Sequence, residues 1–278
     1  MDEARSGQQL GKTDDASTNA APSAVERPMT LMEQTPISPA IGREEGFAHS
    51  SADLIRVLDR GFVRLVDFMG GDMAVVRAAR VSFGQESKGE ERDRRLIDYL
   101  MRHDHGTPFE MAVFKFHVKA PIFVARQWFR HRIGSYNEIS YRYVEVTDEF
   151  YLPDRLRAQD TRNKQASTAG DFTEEEHARG RAAIEAAYQA AYARYQELLG
   201  MGVARELARI VLPVGMYTQF YVAYNARSLM NFIRLRTGSG AQPEIRLYAE
   251  ATAEFFRRLM PWTYEAFARY RFARSDSE

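Results

Sequence analysis

Fourteen consecutive residues constrain this chain more than any others: Arg130-His131-Arg132-Ile133-Gly134-Ser135-Tyr136-Asn137-Glu138-Ile139-Ser140-Tyr141-Arg142-Tyr143, which follow an apolar, helix-like run over residues 121–129. Four of these side chains can carry positive charge and one is a carboxylate. A core cannot take up such a density, because each buried cation needs a desolvated partner. The segment must therefore be either a solvated basic loop or the edge of a site for an anion. The order of its parts favours the second reading. Guanidiniums leave the end of a helix, Gly134 and Ser135 break it, and Asn137, Glu138, Ser140 and Arg142 return on an extended segment. That arrangement makes a lip over a phosphate-sized hole, since Arg forks match phosphate oxygens bidentately and hydroxyls and backbone N–H groups fill the remaining acceptor sites.

Composition leaves this site to local chemistry. The 278 residues carry a formal net charge of +0, so no global field recruits nucleic acid or anionic lipid. Positive charge is nearly all arginine, with lysine only at Lys12, Lys88, Lys115, Lys119 and Lys164. This suits bidentate recognition and fits a genomic composition bias equally well. Cysteine is absent, which excludes disulfides, thiolate metal sites and a cysteine nucleophile. No His/Asp/Glu spacing has the pattern of a metal site, so no metal is expected.

Residues 1–50 are rich in Ser, Thr, Ala, Gln, Asp, Glu and Pro without apolar periodicity. They cannot repay the entropy of ordering, and a disordered N-terminal extension is expected, followed by one domain over 51–278. No signal-peptide pattern and no bilayer-length apolar run occurs, so a cytoplasmic protein without membrane contact is expected.

Beyond residue 53 strand and helix patterns alternate. Alternating residues at 54–58 and 62–66 read as strands about a Gly turn. A helix opens at Gly71-Asp72 and ends near Ser82; another covers 90–103 with Leu96, Ile97, Leu100 and Met101 on one face. A strand follows at 113–118, in which His117 reads as an ordinary sheet histidine, and residues 149–153 read as a strand end. Residues 154–170 form a polar connection of the kind that is often mobile. A long helix over 173–199 is opened by a Thr173/Glu176 capping box and stopped by Gly200. Its Tyr188, Tyr192 and Tyr195 stripe reads as packing. A short helix over 203–212 carries Arg209 beside an apolar run, Ile210-Val211-Leu212, expected to be buried; Arg209 reads as a surface partner of Glu206 or as an interior cation with a purpose. An aromatic strand over 214–224 leads to a helix from about Asn225, where Arg227 and Asn231 stand at i, i+4 with Arg234 continuing the row. Such a row can grip an extended ligand, and the helix N-terminus suits a pyrophosphate. Two further helices finish the chain, with Leu247, Ala251 and Phe255 as an apolar row sealed by Trp262 and Phe267.

The spacing Arg-His-Arg, seven residues, Ser140, with Asn137-Glu138 before it and Arg142-Tyr143 after, resembles the signature of the flavin-dependent thymidylate synthases. The segments His105-Gly106-Thr107-Pro108-Phe109-Glu110, Ala208-Arg209-Ile210-Val211-Leu212-Pro213 and Asn225 to Arg236 resemble further motifs of that family in the same order, and the resemblance runs from about Val57 to Phe272. It implies an α+β fold with a central, mostly antiparallel sheet flanked by helices. It implies reductive methylation of dUMP to dTMP, with FAD and NADPH as the hydride source, 5,10-methylenetetrahydrofolate as carbon donor, and a homotetramer whose active sites are shared between subunits. By residue, it implies that Thr107, Arg130, His131, Arg132, Glu138, Asn225, Arg227 and Asn231 hold the flavin. Gln127, Arg130, Glu138, Ser140, Arg142, Arg209 and Arg236 are assigned to dUMP, and Arg236 is the catalytic residue that stabilises charge on the uracil ring. The resemblance also places Ser82 beside the flavin and His105 at the border of the active cavity. One departure stands out: many relatives carry a histidine where this chain has Gly240, so no flavin contact is carried over there. Two rival readings from the residues alone are a nucleotide-binding flavoprotein reductase and an arginine-rich RNA-binding module.

Overall fold

A computed structural model describes residues 53–272 apart from positions 83, 85, 162, 164 and 165. The expected 1–50 extension lies outside the described residues. Strands β1 (Leu54–Val57) and β2 (Gly61–Met69) form an antiparallel hairpin. Its turn needs a glycine, because a Cβ on Gly61 would lie 2.0 Å from the Tyr248 hydroxyl and 2.6 Å from the Val57 carbonyl oxygen. Helices α1 (Asp72–Val81) and α2 (Glu90–Arg102) follow, then β3 (Val113–Pro121), α3 (Ile122–Trp128) and β4 (Ser135–Glu138). A two-residue hairpin, β5 (Ala158–Gln159) and β6 (Ser167–Thr168), precedes α4 (Glu174–Gly200) and α5 (Arg205–Ala208). The chain ends in β7 (Tyr217–Asn225), α6 (Ala226–Thr237), α7 (Pro243–Leu259) and α8 (Pro261–Phe267).

The expected α+β fold with a central antiparallel sheet is what forms. Five strands lie in the order β1-β2-β3-β7-β4 and every pairing is antiparallel. One face of β3 and β7 buries Phe114, Phe116, Val118, Phe220, Val222 and Tyr224 against α3, α6 and α7. Phe114 meets Phe256 edge-on at 5.7 Å and Trp128 stacks on Phe232 at 4.6 Å. Full burial of one such side chain contributes about 2–3 kcal/mol, so this layer fixes where α6 and α3 sit. The opposite face carries Lys115, His117, Lys119, Gln219 and Tyr221. There His117 bonds Arg64 at 2.9 Å and Gln219 at 3.0 Å and stacks on Tyr221, an ordinary sheet position as expected. A second cluster packs Tyr195, Tyr188 and Tyr192 around Phe150, Val146 and Met216, so the tyrosine stripe of α4 is packing.

Several expectations need correction. The apolar run after Arg209 is not buried: Ile210 is 75% exposed, and the expected helix over 203–212 is α5 plus a 3-10 turn, Arg209–Val211. Arg205, not Arg209, makes the ion pair there, with Glu145 at 2.9 Å. Of the expected α7 row, Ala251 and Phe255 are buried but Leu247 is exposed; Ile245, Tyr248, Ala249, Thr252 and Phe256 are buried beside them. The stretch 149–153 contributes only a bridge from Phe150 to Met216. The extended return of the basic segment stops at Glu138, after which residues 141–143 turn. Within the polar connection Arg157 pairs with the buried Glu244 at 2.7 Å. Helix α4 runs through Gly200, and Gly202, at φ 82°, makes the turn that follows. The capping box of Thr173 and Glu176 is present as read.

Candidate active site

Short α3 aims its C-terminus at the end of α6, and the residues just past it open two cavities. The first, about 660 Å³, is lined by Arg126, Gln127, Phe129, Arg130 and Arg236. The second, about 750 Å³, is lined by Glu110, Arg130, His131, Arg132, Ile133, Asn225, Arg227, Ser228, Asn231, Leu235 and Arg236. Arg130 and Arg236 belong to both.

Arg236 is fixed rather than free. Its Nε donates to His131 Nε2 at 2.9 Å and its Nη2 to the Gln127 carbonyl oxygen at 3.1 Å, one of the orphan carbonyls at the end of α3. Burial first, and Arg236 second, push the His131 imidazole down to about 4, so it is neutral near pH 7 and acts as an acceptor. Burial and then Arg130 lower the Arg236 pKa from its ordinary value. The partners of this guanidinium are therefore neutral, and its charge is uncompensated. The His131 segment is braced from behind: the Tyr136 hydroxyl donates to the His131 carbonyl oxygen at 2.5 Å and pairs with the Tyr224 hydroxyl. Gly134 lets the loop lie on that brace, since a Cβ there would meet the Tyr224 ring at 2.6 Å.

The second cavity is built on the start of α6. Asn225 caps the helix by accepting from the Ser228 N–H at 2.8 Å, which leaves the first turn open to the cavity. Arg227 pairs with Glu110 at 2.7 Å, and Gly106 is required where that side chain crosses the 3-10 turn Thr107–Met111, a Cβ there falling 2.5 Å from Arg227 Nε. Among the described residues, Arg126, Arg130, Arg132 and Arg236 form no ion pair with a carboxylate. Five guanidiniums thus face Glu110 as the one lining carboxylate, an arrangement that favours anionic ligands.

The chain's likeness to known proteins agrees with this geometry. The family model described as "Thymidylate synthase complementing protein" matches residues 64–262. A flavin-dependent thymidylate synthase of Thermosipho africanus is 56% identical over 215 residues, covering 77% of this chain and 94% of that one. The flavin-dependent thymidylate synthase of Thermus thermophilus is 54% identical over 213 residues, 77% of each chain. This chain belongs to the flavin-dependent thymidylate synthase family. It is thereby one of a family of methyltransferase enzymes. A solved structure, the UMP/dUMP methylase PolB of Streptomyces cacaoi bound with 5-Br dUMP, superposes with a TM-score of 0.72 at 40% identity, covering 78% of this chain and 99% of that one.

Of the residues assigned from the motifs, Gln127, Arg130, His131, Arg132, Asn225, Arg227, Asn231 and Arg236 line the two cavities. Thr107, Glu138, Ser140, Arg142 and Arg209 line neither within the single chain. Thr107 is exposed at the start of the turn that carries Glu110. Glu138 accepts from the Thr218 hydroxyl at 2.6 Å, and Arg142 lies over the Tyr143 ring. Ser82 caps the end of α1 and His105 rests edge-on against Tyr99, both exposed. Arg234 does not continue the ligand row; it braces Asn231 through Oδ1 at 3.2 Å, and the next lining residue is Leu235. Continuing the i, i+4 step from Arg227 and Asn231 lands on Leu235, so that signal was present in the sequence. Arg126, Phe129, Ile133 and Ser228 also line the cavities, and only their neighbourhood in the motifs marks them. Gly240 lines neither cavity; a Cβ there would point to Asn163 at 3.7 Å.

The donor set of the second cavity fits a flavin dinucleotide. Arg130, Arg132, Arg227 and the first turn of α6 offer donors to a pyrophosphate, while Ile133 and Leu235, both exposed, offer apolar surface to a ring. Among the described residues no helix is long and apolar enough to cross a membrane, and no group of His, Asp or Glu is placed to hold a metal.

Proposed function

We propose that the protein converts dUMP to dTMP, with dUMP in the cavity of Arg126, Gln127, Arg130 and Arg236 and the flavin in the cavity at the start of α6. The observation that carries this reading is Arg236, a guanidinium held by two neutral acceptors on the wall common to both cavities. A cation fixed in that way favours the ionised imide of a uracil ring and drives electron density towards C5, the carbon that is alkylated. No thiolate is available to add to C6, so activation of the ring falls to this charge. FAD reduced by NADPH supplies a hydride when bound, and 5,10-methylenetetrahydrofolate the carbon. His131 stays neutral and orients Arg236, and Arg130 lies beside both ligands.

We further propose a homotetramer in the cytoplasm, with Ser140, Arg142 and Arg209 completing the site of a neighbouring subunit and Thr107 and Glu138 closing on ligands once assembled. Support comes from the exposed apolar side chains beside Arg209, namely Leu207, Ile210, Val211 and Val214, which a single chain leaves uncovered. The test of the reaction is dTMP formation from dUMP, 5,10-methylenetetrahydrofolate and NADPH by the yellow, flavin-loaded protein. NADPH oxidation without dTMP would instead mean a reductase that binds nucleotides. The test of sharing is to mix Arg209→Ala and Arg236→Ala, each inactive alone. Exchange of subunits should restore part of the activity, and a mixture as inactive as its components would exclude shared sites.

A further inference from the structure

Gln242 occupies the N-cap of α7, yet its side chain makes no capping bond. Ser, Thr, Asp or Asn serve that position better, so the start of the helix does not explain a glutamine there. The carboxamide turns instead to α3, where its Oε1 accepts from Gln127 Nε2 at 2.5 Å. Gln127 is the residue whose carbonyl holds Arg236 and which lines the first cavity.

The loop that presents Gln242 is itself secured. Arg246, one turn into α7, donates through Nη2 to the carbonyl oxygens of Ser239 and Ala241, each at 3.1 Å. The Ala241 N–H bonds Gly238 O at 3.0 Å and the Arg246 N–H bonds Gln242 O at 3.1 Å. Next to Gln242, Pro243 opens the helix and Glu244 is buried under Arg157. Gln242 therefore stands on a rigid support, whereas Gln127, at the rim of an open cavity, has three side-chain torsions to fix and no other side-chain partner among the described residues.

We infer that Gln242 is a positioning residue: its amide clasp holds the Gln127 side chain in the orientation that receives dUMP. Gln242 lines neither cavity and acts only through Gln127. With one amide N–H committed to the clasp, the Oε1 of Gln127 is set as an acceptor among the donor-only guanidiniums of Arg126, Arg130 and Arg236. The clasp lowers the ordering cost of binding nucleotide and leaves the chemical step, which belongs to Arg236, unaltered.

This inference rests on the dUMP reading of the first cavity, and a double-mutant cycle in the flavin-loaded enzyme separates the two. Gln242→Leu should raise KM for dUMP roughly three- to tenfold, the effect of freeing one side chain, with kcat and flavin content at wild-type levels. In a Gln127→Leu background the same substitution should add nothing, because the partner is already gone. An unchanged KM in Gln242→Leu, or an undiminished rise in the Gln127→Leu background, would overturn the inference. If Gln242→Leu does not fold, Gln242→Met, close in shape and lacking the amide, takes its place in the same cycle. Wild-type protein that makes no dTMP in this assay would remove the reading of the cavity itself, a different result from wild-type turnover with an additive cycle.

Discussion

Acidification should weaken this protein in a way that two histidines dictate. His131 and His117 are both held at about 4 in the folded chain, chiefly by burial and then by Arg236 and Arg64 respectively. In the unfolded chain each returns to about 6.5. Between these values the unfolded state binds more protons, so stability is full above pH 6.5 and falls as pH drops towards 4. From pH 7 to pH 5 each site costs about 1–2 kcal/mol, roughly 3 kcal/mol for the two, with solvent at the half-buried His131 placing it at the lower end. The measurement is the urea midpoint at both pH values, at fixed protein and flavin concentration because bound ligand shifts apparent stability. His131→Gln keeps an acceptor for Arg236 and removes the titration, so about half of the acid sensitivity should disappear with it. A variant as acid-sensitive as the wild type, or a His131 imidazole that titrates near its ordinary value, would refute the assignment of His131 as a neutral acceptor.

Other substitutions test the site piece by piece. Arg236→Ala should lower kcat by about 10²–10³, the cost of one preorganised donor at developing charge, while flavin absorbance stays, because Asn225, Arg227 and Asn231 are untouched. Gly106→Ala should displace Arg227 from Glu110 and reduce flavin retention on a desalting column, with the fold intact, since the obstructing atoms are the end of a flexible side chain. Gly134→Ala should cost about 1–3 kcal/mol in denaturation and also raise KM for dUMP, because its Cβ meets the Tyr224 ring that backs the basic loop. Gly61→Ala should be more damaging to stability and have no effect specific to substrate, since it meets both backbone and the buried Tyr248.

The sheet and most helices were legible because their residues obey one rule each. Period-two alternation in β3 and β7 and the capping box of α4 are local signals, and the structure follows them. The failures share a cause. Ile210 and Leu247 are apolar residues whose helical neighbours did not say which side the rest of the fold would occupy, and a side chain is buried only where another element arrives. In the site, Arg227 and Asn231 were readable because one helix sets them at i, i+4 on one cavity wall, whereas Arg236 was marked only by the motif resemblance and the row itself pointed wrongly to Arg234. Ser140, Arg142 and Arg209 obey the motif as well as the others do, yet within the single chain they line neither cavity. The Gln127–Gln242 contact was invisible for a related reason, since the two residues are 115 positions apart and neither breaks a local pattern.

Helix α6 carries Arg227 near its first residue and Arg236 near its last. Nine residues of α-helix span about 13–14 Å, so the sites proposed for the two ligands are joined by a rod whose length is set by hydrogen bonds rather than by loops. A single residue inserted between them would swing Arg236 by about 100° around the axis and aim it away from His131. A change in the length of this rod would therefore separate Arg236 from both His131 and the Gln127 carbonyl oxygen, its two partners.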